Sequence, residues 1–162
     1  MQQIDFGQFR FRRFRQNQDE EDLFAALGQP EVVRHMASTG ITQQDCVDII
    51  AGAELHWQTY NIGSWAVIHQ GRLAGWAGFK YWQENEFEIL IVLGTEHWGL
   101  GRPIFRELVK LAKTQFHLNQ IFVILPETRR SFQFIVKKAG FTALGAEEFH
   151  QQAFQKFKLT LS

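Results

Sequence analysis

Apolar and polar positions alternate near the start of the chain, where Phe9, Phe11 and Phe14 are interleaved with Arg10, Arg12 and Arg13. That two-residue period predicts a half-exposed strand over Gln8 to Phe14. From Asp19 the period lengthens. Asp19, Glu20, Glu21 and Asp22 would sit at the positive end of a helix dipole, ahead of the apolar Leu23, Phe24 and Leu27, and Gly28 marks the stop. Pro30 opens a short second turn through Val32 and Val33, where its missing N–H costs nothing. Thr42 and Asp45 resemble a capping box and predict a longer helix carrying Val47, Ile50, Leu55 and Trp57, ending before Asn61-Ile62-Gly63.

Three strands follow. Ser64 to His69 turns at Gln70-Gly71-Arg72 into Leu73 to Trp82, and after Gln83 to Asn85 a third strand runs from Glu86 to Leu93. Its first half carries Glu86 and Glu88, but Ile89 to Leu93 is apolar throughout, the pattern of a central strand covered on both faces. A helix from about Arg102 to Gln115 places Ile104, Leu108, Leu111 and Ala112 on one stripe, and Ile121 to Leu125 reads as another buried strand. A strand, helix and strand of this length make a right-handed parallel crossover. The next helix, about Arg129 to Ala139, ends on Lys137, Lys138 and Gly140; two last strands begin at Phe141, with a turn near Gln151 and Gln152. The order is β-α-α-β-β-β-α-β-α-β-β. It describes an α/β chain of the mixed-sheet (α+β) kind, helices on both faces, in one domain spanning residues 1–162.

Composition narrows the class. The 162 residues are 45% hydrophobic and 21% charged, which suits a single packed core. The longest apolar runs are too short to cross a bilayer, and the basic N-terminal segment has no apolar stretch like that of a secretory signal. The single cysteine, Cys46, cannot form an internal disulfide, so a reducing cytoplasm is expected. With 17 basic and 17 acidic side chains, the balanced charge argues against nucleic acid, and the Arg10 to Arg15 cluster reads as the solvated face of a strand.

The segment that carries chemistry is Gly94-Thr95-Glu96-His97-Trp98-Gly99-Leu100-Gly101-Arg102-Pro103, between a central strand and an amphipathic helix. The first N–H groups of that helix lack internal partners and carry the positive end of the dipole. Glycines at 99 and 101 would let backbone approach a phosphate closely. Leu100-Gly101-Arg102 lacks the Lys-Ser/Thr of a nucleotide-binding P-loop, and a dinucleotide fingerprint would need a third glycine. Spacing alone leaves open the alternative that the two glycines only make a tight turn.

The order of elements and five motifs resemble the GNAT acetyltransferase superfamily, in particular its RimJ/RimL-like ribosomal-protein branch. Phe9-Arg10-Phe11-Arg12-Arg13-Phe14 resembles the opening strand, and Gln29 to Met36 the "DPEVxRYM" segment. Gly71-Arg72-Leu73-Ala74-Gly75-Trp76-Ala77-Gly78 is similar to the "GxLIGxxG" strand. Glu96 to Gly101 occupies the Q/R-x-x-G-x-G/A loop, and Pro126 to Ser131 followed by Lys138-Ala139-Gly140-Phe141 resembles "PxNxxS…KxGF". The sequence departs from the pattern at Glu96, at Thr128 in place of Asn, and at Val136 near the position of a tyrosine that many members carry.

The resemblance implies direct acetyl transfer from acetyl-CoA, as cosubstrate and without a metal, to an amine. A protein N-terminus is the first acceptor and a small-molecule amine the second, in a monomer or homodimer. It implies that Ile91, Val92 and Leu93 offer backbone to the pantetheine chain. Trp98, Gly99, Leu100, Gly101 and Arg102 would hold the diphosphate, with Thr128 and Lys137 as further cofactor contacts. Glu88 is the candidate base, acting through water, with Glu148 a weaker rival; Ser131 is the candidate donor of a proton to the leaving thiolate. Beside each stands a plainer role: Glu88 as an exposed edge carboxylate in series with Glu84 and Glu86, and Ser131 as a polar first-turn residue. The six histidines form no ligand spacing, and His97 reads as solvent-facing. Trp82 and Met36 to Gln43 are expected to wall the acceptor site. The departures at Glu96, Thr128 and Val136 keep a second class in view, a non-catalytic acyl-CoA-binding sensor or interaction module.

Overall fold

A computed structural model describes residues 3–34, 40–84, 86–149 and 151–161. Its elements are β1 (Gln3–Phe6), β2 (Phe9–Arg12), α1 (Glu20–Leu27), α2 (Pro30–Arg34), α3 (Gln43–Tyr60), β3 (Ser64–His69), β4 (Arg72–Gln83) and β5 (Glu86–Leu93). A 3₁₀ helix (Thr95–Leu100) then runs directly into α4 (Gly101–Thr114), followed by β6 (Gln120–Pro126), α5 (Arg130–Lys138), β7 (Thr142–Phe149) and β8 (Gln152–Thr160). The order read from the sequence is present, with three elements added to it: β1, the 3₁₀ helix and the short helix α2, which the sequence reads as a turn. β1 is four residues long, too short for a period to declare itself, and it is fixed by pairing with β2 from Gln3↔Arg12 to Phe6↔Phe9.

The strands form one sheet in the order β1-β2-β3-β4-β5-β6-β8-β7. Neighbours are antiparallel except β5 and β6, joined in parallel through α4. That single parallel pair positions the site. Its ladder is registered at Glu88↔Phe122, whereas β5 stays paired with β4 as far as Leu93 and β6 with β8 as far as Pro126. Beyond Glu88 and Phe122 the two strands therefore part, each held by its outer neighbour, and a V-shaped gap opens in the middle of the sheet.

Alternate residues of β4 and β5 point to opposite faces, and each face has its own core. On one, Leu23, Leu27, Val32, Cys46 and Ile50 from α1, α2 and α3 pack with Trp76 and Val92. On the other, Ile104, Phe105 and Leu108 from α4 and Val136 from α5 pack with Ala77, Ile89 and Leu93. The capping box of α3 forms as expected: Asp45 N–H donates to Thr42 Oγ1 at 3.0 Å and Thr42 N–H to Asp45 Oδ2 at 2.8 Å. The buried face of α3 is Cys46, Ile50, Ala53 and Trp57, while Val47 and Leu55, part of the apolar pattern that predicted the helix, are 41% and 63% exposed. The small residues Cys46 and Ala53 complete a tighter stripe than the large apolar ones suggested.

The basic strand is bound up in ion pairs. Arg12 donates to both carboxylate oxygens of Asp19, at 2.8 and 3.0 Å, and Asp19 also accepts from Arg15 N–H at 2.7 Å. Asp19 thus ties β2 to the start of α1 rather than capping that helix. Arg13 reaches Glu54 at 2.7 Å with its guanidinium 4.6 Å above the Trp57 ring, and Arg10 pairs with Asp5.

Candidate active site

The gap between β5 and β6 is a cleft of ≈ 560 Å³. Its walls are Ile89 to Leu93 of β5 and Val123 to Pro126 of β6, and its mouth lies between the starts of α4 and α5. Leu90, Ile91 and Val92 are only half-buried. An apolar strand that pairs on one side and opens on the other offers both side chains and unpaired backbone to a ligand, which suits a long, flexible chain with amide groups.

Trp98, Gly99, Gly101 and Arg102 form the mouth on the α4 side. Trp98 is pinned there by donating its indole N–H to Leu93 O at 2.9 Å. Neither Gly99 nor Gly101 has a positive φ. A Cβ on Gly99 would meet nothing within 4 Å, and one on Gly101 only the Phe132 ring at 3.5 Å. Neither turn geometry nor internal packing requires these glycines. The bare backbone instead leaves room at the start of α4, where no side chain caps the helix and its first turn holds no acid. The positive end of the helix dipole makes that surface a fit for phosphate. Leu100 lies outside the cleft wall and packs its side chain on the core.

Two loop residues turn away from the mouth. Glu96 does not line the cleft; its carboxylate lies 3.6 Å from His97 Nε2. His97, expected to face solvent, is buried, with Nδ1 3.3 Å from Nδ1 of the equally buried His69. The 3₁₀ helix brings about three residues into each turn, and it directs His97 onto β3 while Trp98 and Gly99 meet the cleft. Burial holds the His97 imidazole below its ordinary pKa, the nearby Glu96 opposing.

On the α5 side, Arg129, Ser131 and Phe132 line the cleft. Thr128 is exposed beside it and does not reach the wall. Lys137 is not brought to the cleft either: it sits in the last turn of α5, ~12 Å along the helix from Arg129. Val136 is fully buried in the core. Nothing in the sequence marked Arg129, because the motif position falls on its neighbour Thr128.

At the closed end of the V, Glu88 faces Lys80 across the β4–β5 ladder, and both line the cleft. Burial raises the Glu88 carboxyl above its ordinary pKa; Lys80 and Lys156 pull it back, and Glu147 adds to the rise. Lys156, itself buried, lies 3.4 Å from Glu86 Oε1 and 4.6 Å from the Phe122 ring centroid. Glu148 is exposed and away from the cleft wall, whereas Trp82 is part of that wall. Of the segment expected to wall an acceptor site, residues 36–39 lie outside the described residues.

Fold and cleft together define a mixed α/β protein whose single parallel strand pair opens into a cleft. The chain belongs to the GNAT acetyltransferases: residues 8–142 match the family model described as an acetyltransferase (GNAT) domain. Enzymes of this family draw their acetyl group from acetyl-CoA. No curated protein matches the sequence. Among solved structures, a GNAT-family acetyltransferase from Bacillus anthracis is similar over 98% of both chains, with a TM-score of 0.77 at 17% identity. The microcin C7 self-immunity acetyltransferase MccE, in complex with acetyl-CoA and AMP, gives 0.78 at 13% identity, covering 96% of this chain and 94% of its own. A Vibrio cholerae protein provisionally assigned as a ribosomal-protein-serine acetyltransferase gives 0.75 at 14% identity, covering 98% of this chain and 97% of its own. At these identities the likeness is one of fold. No helix among the described residues is long and apolar enough to cross a membrane.

Proposed function

We propose that the protein transfers the acetyl group of acetyl-CoA directly to a primary amine, a protein or peptide N-terminus first and a small-molecule amine second. The observation that carries this reading is the opening of β5 from β6 beyond Glu88, toward a helix start with no side-chain cap. The cofactor supplies an acyl thioester already activated for attack by an amine. The β6-facing backbone over Ile91, Val92 and Leu93 binds the pantetheine amides. The N–H groups from Trp98 to Arg102, Leu100 contributing backbone only, hold the diphosphate beside the Arg102 guanidinium.

Glu88 accepts the proton of the amine, through water. Its burial keeps the carboxylate a better base than one in bulk solvent, and its place at the closed end of the V is where the acyl end of a ligand running along β5 would arrive. The hydroxyl of Ser131, in the first turn of α5 on the opposite wall, returns a proton to the departing thiolate. The acidic side chains Glu86, Glu88 and Glu147 near that end favour a cationic acceptor. The ribosomal-protein motifs and the name given to the Vibrio cholerae structure favour a peptide N-terminus.

The test is thiol release from acetyl-CoA against short peptides with free N-termini and against polyamines and amine-bearing antibiotics. Amine-dependent release with a peptide preference is expected. Acetyl-CoA binding with no release across both sets would contradict the catalytic roles given to Glu88 and Ser131.

A further inference from the structure

We propose that Arg129 grips the diphosphate of the bound cofactor from the α5 side of the cleft, opposite Arg102 on α4. The inference rests on the acetyl-CoA reading above and adds to it a cation that the family motifs do not mark, next to a threonine standing where the motif has asparagine.

Arg129 lines the cleft and is half-buried, and burial lowers its pKa with no compensating charge. Among the described residues no carboxylate lies within ion-pair distance of it, whereas Arg10, Arg12 and Arg13 each have one. Its contact is the face of Phe132, 5.3 Å from the guanidinium carbon. A cation drawn partly out of water without an anionic partner is unfavourable in the free protein. The planar donor fork that remains is the group that recognises phosphate oxygens in pairs.

Its position selects the phosphate. The Phe132 ring under the guanidinium is 3.5 Å from where a Cβ on Gly101 would sit, and it packs edge-on against Phe105 of α4 at 5.6 Å. Arg129 is therefore one ring away from the first turn of α4, where the diphosphate is placed. Neither α4 nor α5 has a side-chain cap or an acid in its first turn, so both positive ends reinforce the two arginines at one mouth.

The experiment measures calorimetric affinity of the full chain, R129A and R129K for CoA and for 3′-dephospho-CoA, with thermal unfolding of each variant. R129A should weaken both ligands equally, by about ten- to hundredfold. R129K, which keeps the charge but loses the fork, should fall between and preserve the fold if R129A does not. A loss for CoA that vanishes with 3′-dephospho-CoA would assign Arg129 to the 3′-phosphate and overturn the proposal. Unchanged affinity in either folded variant would overturn it too, leaving the acetyl-CoA reading intact. Failure of the unaltered protein to bind CoA would overturn both.

Discussion

At the scale of single residues, the chemistry depends on a few side chains whose surroundings the sequence could not show. Glu88 alternates with Glu86 along a strand and looks like another edge carboxylate; only the fold shows it half-buried in the cleft, with Lys80 across the ladder and Lys156 and Glu147 nearby. Glu88→Gln should lower kcat by about 10²- to 10⁴-fold, with acetyl-CoA affinity unchanged by calorimetry. The acidic limb of the unaltered enzyme's kcat profile should fall above the ordinary glutamate value of 4.5, since burial raises this pKa and the base works only when deprotonated. A limb that persists in Glu88→Gln would assign the proton transfer elsewhere. His97 was misread for the opposite reason: a polar residue in a loop is expected outside, yet here it turns inward and meets the His69 ring edge-on.

At the scale of elements, periodicity and punctuation were informative. The capping box of α3, the hairpin turn of β3 and β4 and the crossover through α4 were all legible. The parting of β5 from β6 was not, because Ile89 to Leu93 reads the same whether the strand is covered or lines a cleft. The five motifs supplied that by resemblance, and they correctly marked Gly75. A Cβ there would lie 2.1 Å from Val92 O, so only glycine lets β4 pass this close to the cleft strand. Gly75→Ala should cost about 1–3 kcal/mol in unfolding free energy and weaken acetyl-CoA binding, as denaturant melts and calorimetry would show. Gly101→Val makes a contrasting prediction. Its Cβ meets only a ring edge at 3.5 Å, so melts should change little while cofactor binding is lost. Retained affinity would contradict the loop's role.

At the scale of the whole molecule, two imidazoles whose pKa values are depressed make stability depend on pH. Burial lowers the pKa of both His97 and His56 from 6.5. The unfolded chain then binds more protons than the folded one just below that value, so this stability is complete above about pH 6.5 and is lost as pH falls toward the depressed folded values. Thermal midpoints should drop between pH 7.5 and 5.5, and His97→Gln should flatten part of that drop; an equal drop would leave His97 out of it. Architecture followed from chain order because each amphipathic element has one sheet face to cover. The site follows less fully, because Arg129 at the mouth and Lys80 and Lys156 beside Glu88 come from distant segments with no shared spacing. Calorimetric titration with acetyl-CoA, followed by thiol release over a panel of amines, tests the central claim most directly. The account predicts about micromolar binding and amine-dependent release, and an absence of binding would contradict it.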